Sequence, residues 1–517
     1  MEKYCCFFML YNLLAFNSVF FAEIYEKSQS RPMVCGAFAV IWMLGVLGCL
    51  LLFNRYTVKI LSCMFLLINA GAFYFIKTYH VAIEEEMLNN VWQTNTMESL
   101  ELLNATWLLY VLFLGALPCF FINRLVIKDT HFVKVRLKWL ILTVIIPMMI
   151  IAPFSRDVFP FVREHRKLKY FLLPVNYISA VISTVKHKVR QNRKFQVIGE
   201  NAAFQPYWKN EKKMLIVFVV GETARADRFS LNGYDRKTNQ PLEQFQPQMV
   251  NYSQAYSCGT STAVSVPCMF AKDTRQDFAS GSQEYTENVL DVFAKNKYKV
   301  LWIENNSDCK DVCLRVAYER PCADRIGTCN DEVLVPSFKR YLQQLNDHAV
   351  VVLHQLGSHG PQYYKRYPQT HEFLTPTCRT ERLQDCSAEE LNNSYDNTIY
   401  YTSEILAKLI DELKNHEDKF NAVFLYVSDH GESLGEHGLY LHSAPYSVAP
   451  QEQKHVPFFI WSADQTWQAL NIDKECMQNN ASAPVSHDYI FHSLLGLGGI
   501  SIKEYDPNLD LFAKCRK

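Results

Sequence analysis

Apolar residues gather into five runs over the first third of the chain, at about residues 4–22, 33–53, 57–76, 105–122 and 139–154. Most approach the ~20 residues that a helix needs to cross a bilayer, so five crossings are expected. The last run is short and carries Pro147, which spanning helices tolerate because neighbouring groups re-satisfy the freed backbone. No small-residue cleavage site follows the first run, which is therefore read as a crossing rather than a leader. From Met214 the pattern changes. MLIVFVVGE, VVVLHQLGSHG and NAVFLYVSDHGES are fully apolar runs of strand length that each end in polar residues. Between them, NVLDVFAKNKYK and TIYYTSEILAKLIDELKNH show helical periodicity. Apolar strands alternating with amphipathic helices predict an α/β domain with a parallel sheet covered on both faces. In such a sheet, ligands bind beyond the carboxyl ends of the strands.

Residues 155–205 separate the two patterns. Here RDVFPFVREHRKLKYFLL and YISAVISTVKHKVRQNRKF alternate apolar and basic residues at roughly helical spacing, as expected of helices lying in a membrane interface. Single cores rarely grow beyond about 250–300 residues, and 517 residues accommodate the division: a five-helix membrane domain at 1–154, an amphipathic connector at 155–205 and an α/β domain at 206–517.

Lys and Arg total 52, as do Asp and Glu, for zero net charge, so the overall charge does not suggest a nucleic-acid partner. Short loops set the orientation through their Lys and Arg. An inside N-terminus places Lys3, Arg55, Lys59, Arg124, Lys128, Lys134, Arg136 and Lys138 inside and only Lys27, Arg31 and Lys77 outside. Five crossings then put residues 206–517 outside. The ten basic residues of the connector, against three acids, run counter to that rule, and attraction to lipid phosphates accounts for them. Ten of the sixteen cysteines lie in the C-terminal domain. The close couples Cys258 and Cys268, Cys309 and Cys313, Cys322 and Cys329, and Cys378 and Cys386 read as disulfides of an oxidising compartment. Zinc is the rival reading of such couples, but their spacings do not form two CxxC pairs. Cys476 and Cys515 are left over.

The strand ends collect chemistry. Glu222 ends the first, His359 follows the second, Asp429 and His430 follow the third, and His442 comes twelve residues after His430. Two carboxylates and an imidazole suit zinc or a similar divalent ion. The loop CGTSTAVSVPC offers Thr260, Ser261, Thr262 and Ser265, and a metal-activated hydroxyl is a competent nucleophile at neutral pH. Periodicity does not choose among the four.

The set GETARADRFSLNGY, SCGTSTAVSVPCMF, LHQLGSHGPQYYKRYP, YDNTIYY and YVSDHGESLGEHGLYLH resembles the phosphoethanolamine transferases that modify lipid A, within the alkaline phosphatase and sulfatase superfamily. The resemblance runs over essentially the whole chain. It implies an alkaline phosphatase/sulfatase-like catalytic domain behind five transmembrane helices. Glu222, Thr260, Asp429 and His430 match the family's zinc ligands, Thr260 being the nucleophile. His359 and His442 match histidines near the substrate or a second zinc, with acid or base roles, and Asn306 and Lys310 match residues that hold the phosphoethanolamine group. The family's frequent GEN reads Gly435, Glu436, His437 here. His371, His437 and His455 are expected to be surface or structural. The implied reaction is ping-pong transfer from phosphatidylethanolamine to a lipid A phosphate of lipopolysaccharide, with polymyxin resistance as the phenotype. The implied setting is a monomer in the bacterial inner membrane, its N-terminus cytoplasmic and its catalytic domain periplasmic. The rival acceptors are a Kdo or heptose of the lipopolysaccharide core. Rival activities are phosphoglycerol transfer and plain phosphomonoester or sulfate hydrolysis. A membrane sensor of lipid or zinc is the non-enzymatic alternative, and it has no use for a metal-activated hydroxyl.

Overall fold

The computed structural model of the chain describes residues 1–28, 30–93, 104–127, 138–139, 141–142, 145–147, 149, 166–190, 194–208, 211–322, 329–380 and 383–517. Two compact units emerge, Met1–Leu88 with Leu103–His187, and Asn89–Leu102 with Lys188–Lys517.

In the first unit, Arg31–Leu52, Val58–Tyr79 and Ala105–Arg124 are helices long and apolar enough to cross a membrane. Glu2–Phe16 and Ser18–Ser28 pass the same test as a pair bent by 67°. Among the described residues the count of helices able to cross is thus three, or four if the bent pair is one span, against the five expected. The fifth expected crossing, 139–154, lies for most of its length outside the described residues, as does 155–165 of the connector. The first run was expected to be continuous, and Asn17 explains its break. The Asn17 amide donates to the carbonyls of Asn12 at 3.2 Å and Leu173 at 3.1 Å, and its oxygen accepts from the Leu173 N–H at 2.8 Å. Asparagine side chains compete in this way with the helical ladder. Further in, Asn69 Nδ2 donates to Asn12 Oδ1 at 2.8 Å, the Tyr177 hydroxyl donates to Asn69 Oδ1 at 3.0 Å, and Tyr4 donates to Ser62 Oγ at 2.6 Å. The helix Val175–Arg190 leaves Val175, Ile178, Ile182 and Val185 exposed, an apolar stripe at helical spacing.

The second unit is built on twelve strands among its described residues. They are β1 (Ala203–Phe204), β2 (Lys213–Gly221), β3 (Met249–Tyr256), β4 (Tyr298–Glu304), β5 (Ala317–Glu319) and β6 (His348–His354), then β7 (Phe420–Ser428), β8 (Ser433–Leu434), β9 (Tyr440–Leu441), β10 (His455–Ser462), β11 (Val485–Ser486) and β12 (Ile500–Ser501). Eight form one sheet in the order β11-β3-β10-β7-β2-β6-β4-β5. The run β7-β2-β6-β4-β5 is parallel. Contrary to an all-parallel expectation, β10 is antiparallel to both β7 and β3. The chain leaving β7 stays at the carboxyl end of the sheet until His455, so the next strand has only the downward direction available. The helices Thr262–Phe270 and Asp488–Gly498 cover one face. Val266, Met269, Phe270, Leu494 and Leu495 pack there with Phe218, Trp302, Val352 and Leu425. Burying one such large apolar side chain contributes roughly 1.5–3 kcal/mol, and together they anchor both helices firmly.

All four expected cysteine couples are bonded, and Cys476 joins Cys515. The free cysteines, Cys5, Cys6, Cys35, Cys49, Cys63 and Cys119, all lie in the first unit.

Candidate active site

Parallel pairing brings the carboxyl ends of four strands level. Val220 on β2 faces His354 on β6, His354 faces Glu304 on β4, and Gly221 faces Ser428 on β7. The next residues on each strand therefore share one rim. Glu222, Asp429 and His430 are fully or almost fully buried there, and one ligand atom from each lies within 4.8 Å of the others. His430 Nε2 sits 3.3 Å from Asp429 Oδ2 and 3.6 Å from Glu222 Oε1. Asp429 Oδ1 accepts the N–H groups of Thr223 and His430 at 3.1 and 2.7 Å. Its Oδ2 is buried with no hydrogen-bond partner. An unpartnered buried carboxylate oxygen facing an imidazole is costly without a cation, and this donor set fits a divalent metal. Burial pulls the His430 imidazole down to about 4, so it stays neutral, as a metal ligand must.

The hydroxyl brought to this cluster is Thr262. It lies in the first turn of the helix Thr262–Phe270, behind Ser261 as N-cap. Its Oγ1 is 3.2 and 3.4 Å from the Glu222 carboxylate oxygens and 3.4 Å from His430 Nε2. Thr260, expected here as ligand and nucleophile, is not the hydroxyl that the structure brings to the cluster. Its hydroxyl donates to the Ala444 carbonyl at 2.6 Å, and its own carbonyl accepts from the Ser443 N–H at 2.8 Å. The two threonines are separated by the turn into the helix, so the first braces the loop and the second enters the site.

His430, His442 and His359 follow one another, with ring centroids 4.4 Å apart between the first two and 5.5 Å between the last two. Arg366 Nε donates to the His359 carbonyl at 2.6 Å. His442 Nδ1 lies 3.2 Å from Glu432 Oε1. Glu432 stands in the SDHGES stretch without a role expected of it, yet it is fully buried. Arg225, equally unremarked in GETARADR, donates to the Glu432 carbonyl at 3.1 Å and to Glu436 Oε1 at 2.6 Å, bracing the loop between β7 and β9.

Asn306 and Lys310 leave the end of β4. Asn306 commits its amide hydrogens to Glu222 Oε2 at 2.6 Å and to the Gln355 carbonyl at 3.0 Å, so it orients a carboxylate of the cluster. Lys310, buried beside the Cys309–Cys313 disulfide, donates to Ser307 Oγ at 2.7 Å. His455 donates to or accepts from no member of the cluster among its described bonds; its Nε2 bonds the Ser253 carbonyl at 2.8 Å. His371 pairs with Glu404 at 3.2 Å.

Buried carboxylates, a hydroxyl and an imidazole thus meet on the rim of a mostly parallel sheet, and the domain that holds them is of the sulfatase class: a family model described as Sulfatase matches residues 214–500. A second, described as Phosphoethanolamine transferase EptA/EptB, matches residues 38–189. The chain is 39% identical over 500 residues to phosphoethanolamine transferase EptA of Escherichia coli strain K12, covering 94% of this chain and 90% of that one. It is 34% identical over 476 residues to the phosphatidylethanolamine transferase Mcr-1 of Escherichia coli, covering 87% of each. Among solved structures it is similar to the integral membrane lipooligosaccharide phosphoethanolamine transferase A of Neisseria meningitidis, at a TM-score of 0.96 and 34% identity over 100% of this chain and 99% of that one. The chain belongs to the EptA family of phosphoethanolamine transferases.

Proposed function

We propose that this enzyme transfers phosphoethanolamine from phosphatidylethanolamine to a phosphate of lipid A through a covalent intermediate on Thr262. The observation that carries this reading is the Thr262 hydroxyl within 3.2–3.4 Å of Glu222 and His430. Glu222, Asp429, His430 and Thr262 would hold zinc. Bound there, zinc supplies a lowered hydroxyl pKa and a positive charge to offset that of the transferring phosphoryl oxygens.

Thr262 Oγ attacks phosphorus, the bond to the glycerol oxygen breaks, and diacylglycerol leaves with a proton. A lipid A phosphate oxygen then attacks the same phosphorus, and the bond to Thr262 Oγ breaks. Asn306 keeps Glu222 in place through both displacements. His442, oriented by Glu432, and its neighbour His359 supply and remove the protons. Lys310 holds the phosphoethanolamine group. A lipid donor agrees with the name of the Mcr-1 relative, and a lipooligosaccharide acceptor with the name of the Neisseria relative. The alternative acceptor is a Kdo or heptose of the lipopolysaccharide core.

The setting proposed with this reaction is a monomer in the inner membrane, with five crossings in residues 1–154, a connector at 155–205 lying in the interface and a periplasmic catalytic domain at 206–517. Both substrates are then confined to the bilayer that anchors the enzyme. An added ammonium reduces the attraction of the surface for cationic peptides, which gives polymyxin resistance. The test is the zinc-loaded full chain in micelles with phosphatidylethanolamine and lipid A, read by mass spectrometry of both lipids. Diacylglycerol together with lipid A heavier by one phosphoethanolamine is expected. Free phosphoethanolamine with unmodified lipid A would instead identify a hydrolase.

A further inference from the structure

We propose that His487 is a positioning residue: its imidazole spans the gap between the threonine loop and the end of β7 and sets the distance from Thr262 to the metal ligands. The inference rests on the reading of Thr262 as the nucleophile. His487 follows β11, is buried, and caps the helix Asp488–Gly498. Its Nδ1 accepts the Cys258 N–H at 3.1 Å, and its Nε2 donates to the Ser428 carbonyl at 3.0 Å. Both ring nitrogens are thereby used. Because one partner is an N–H and the other a carbonyl, the imidazole is neutral with its proton on Nε2. Its own backbone N–H donates to the Tyr256 carbonyl at 3.1 Å, so the ring is fixed at its root as well as at both ends.

What lies at each end makes this a matter of function. Ser428 is the last residue of β7, directly before Asp429 and His430. Its Oγ accepts the Ala224 N–H at 2.8 Å and donates to the His430 carbonyl at 3.0 Å. Ser428 thus ties the turn that carries Glu222 to the strand end that carries the other two ligands. At the opposite end, Cys258 begins a stiff loop. It is closed by the Cys258–Cys268 disulfide, and the Gly259 N–H donates to Ser265 Oγ at 2.9 Å. A Cβ on Gly259 would come within 2.8 Å of Val264 Cβ, so the loop lies directly on the first turn of the helix that presents Thr262. A displacement at the Cys258 N–H is carried to Thr262, because the intervening residues are held at several points. The disulfide closes the loop, and His487 decides where the closed loop sits.

The experiment uses the zinc-loaded full chain in micelles with phosphatidylethanolamine. It measures the rate of adduct formation on Thr262 by mass spectrometry, alongside zinc content and thermal midpoint, for His487→Ala and His487→Gln. A small misplacement of a reacting group slows chemistry by about 10- to 100-fold, and His487→Ala is expected to lose that much in rate at saturating donor. Half-saturating donor concentration and zinc content should stay within about twofold, since Glu222, Asp429 and His430, three of the four groups that would hold zinc, lie on the strand ends and not on the loop. His487→Gln, which can still reach the Ser428 carbonyl with its amide, should recover part of the rate. An unchanged rate in His487→Ala overturns the proposal. So does a loss of rate that only follows the loss of folded, zinc-loaded protein, with His487→Gln no better than His487→Ala. An adduct on another residue of the unaltered chain would overturn the nucleophile assignment as well, and it is told apart because the unaltered chain alone reveals it.

Discussion

Both units of the molecule bury polar side chains, and the second concentrates a further kind at one point. In the first unit these are neutral groups that satisfy one another: Asn12 with Asn69, Asn69 with Tyr177, Tyr4 with Ser62, and Asn17 with the backbone of residue 173. The second has such neutral pairs too, Asn239 with Ser403 and Thr398 with Ser358, but it also gathers charged and titratable groups at one point. Glu222, Asp429, His430 and Glu432 are buried together, and Asp429 Oδ2 and Glu432 Oε2 have no hydrogen-bond partner. Amides that pair with amides can hold helices together where water is absent, at little cost once paired. Carboxylates left half-satisfied hold nothing together by themselves; they cost several kcal/mol each unless a cation arrives. The difference marks the first group as architecture and the second as chemistry.

Removing a charge from the second group should separate stability from activity most sharply. Asp429→Asn is expected to lower the transfer rate by about 1000-fold or more by removing one of the groups proposed to hold zinc, with zinc content falling in parallel. The metal-free protein should unfold at the same temperature or higher, because an unpartnered buried anion has been removed. A stability loss as large as the activity loss would break the comparison.

Acid comes next. Burial lowers His430 and His487 to about 4, from an ordinary value of 6.5. Below pH 6.5 the unfolded chain takes up protons that these folded imidazoles refuse. The stability is therefore intact above pH 6.5 and drains away towards pH 4, by about 3 kcal/mol per imidazole. In the metal-free chain, hydrogen exchange should show the catalytic unit loosening over that interval, whereas the neutral amide pairs of the first unit do not titrate. Simultaneous loosening of both would contradict the distinction.

The smallest expected effect is in the first unit. Asn69→Leu leaves Asn12 Oδ1 and the Tyr177 hydroxyl without their shared partner, which costs about 1–2 kcal/mol. The transfer rate per folded molecule should not change. A fall in that rate without a fall in stability would mean that this network serves catalysis.

Much of this was legible in the sequence because the signals were local. Apolar runs ending in GET, GSHG and SDHG located three parallel strands and the rim that they share, and close spacing paired eight of the ten bonded cysteines. Cys476 and Cys515 lie 39 residues apart, too far for spacing to speak. The bend at Asn17 was hidden because its partner, Leu173, is 156 residues away. The direction of β10 depended on where a long loop emerges, which strand periodicity does not report. Periodicity left four chemically similar hydroxyls open in one loop; the resemblance pointed to Thr260, whereas the structure brings the Thr262 hydroxyl to the cluster. Only the start of the helix decides which of them turns inward. Glu432, Arg225 and His487 act by bracing their neighbours, and bracing leaves no periodic trace.

The most direct measurement is the site of the covalent adduct: peptide mapping of the zinc-loaded full chain after incubation with phosphatidylethanolamine, in the unaltered protein and in Thr262→Ala and Thr260→Ala. The account predicts one phosphoethanolamine on Thr262, none in Thr262→Ala, and an adduct still formed in Thr260→Ala, slowed by about 10-fold at most because only a loop hydrogen bond is lost. An adduct that persists in Thr262→Ala and disappears in Thr260→Ala would contradict it.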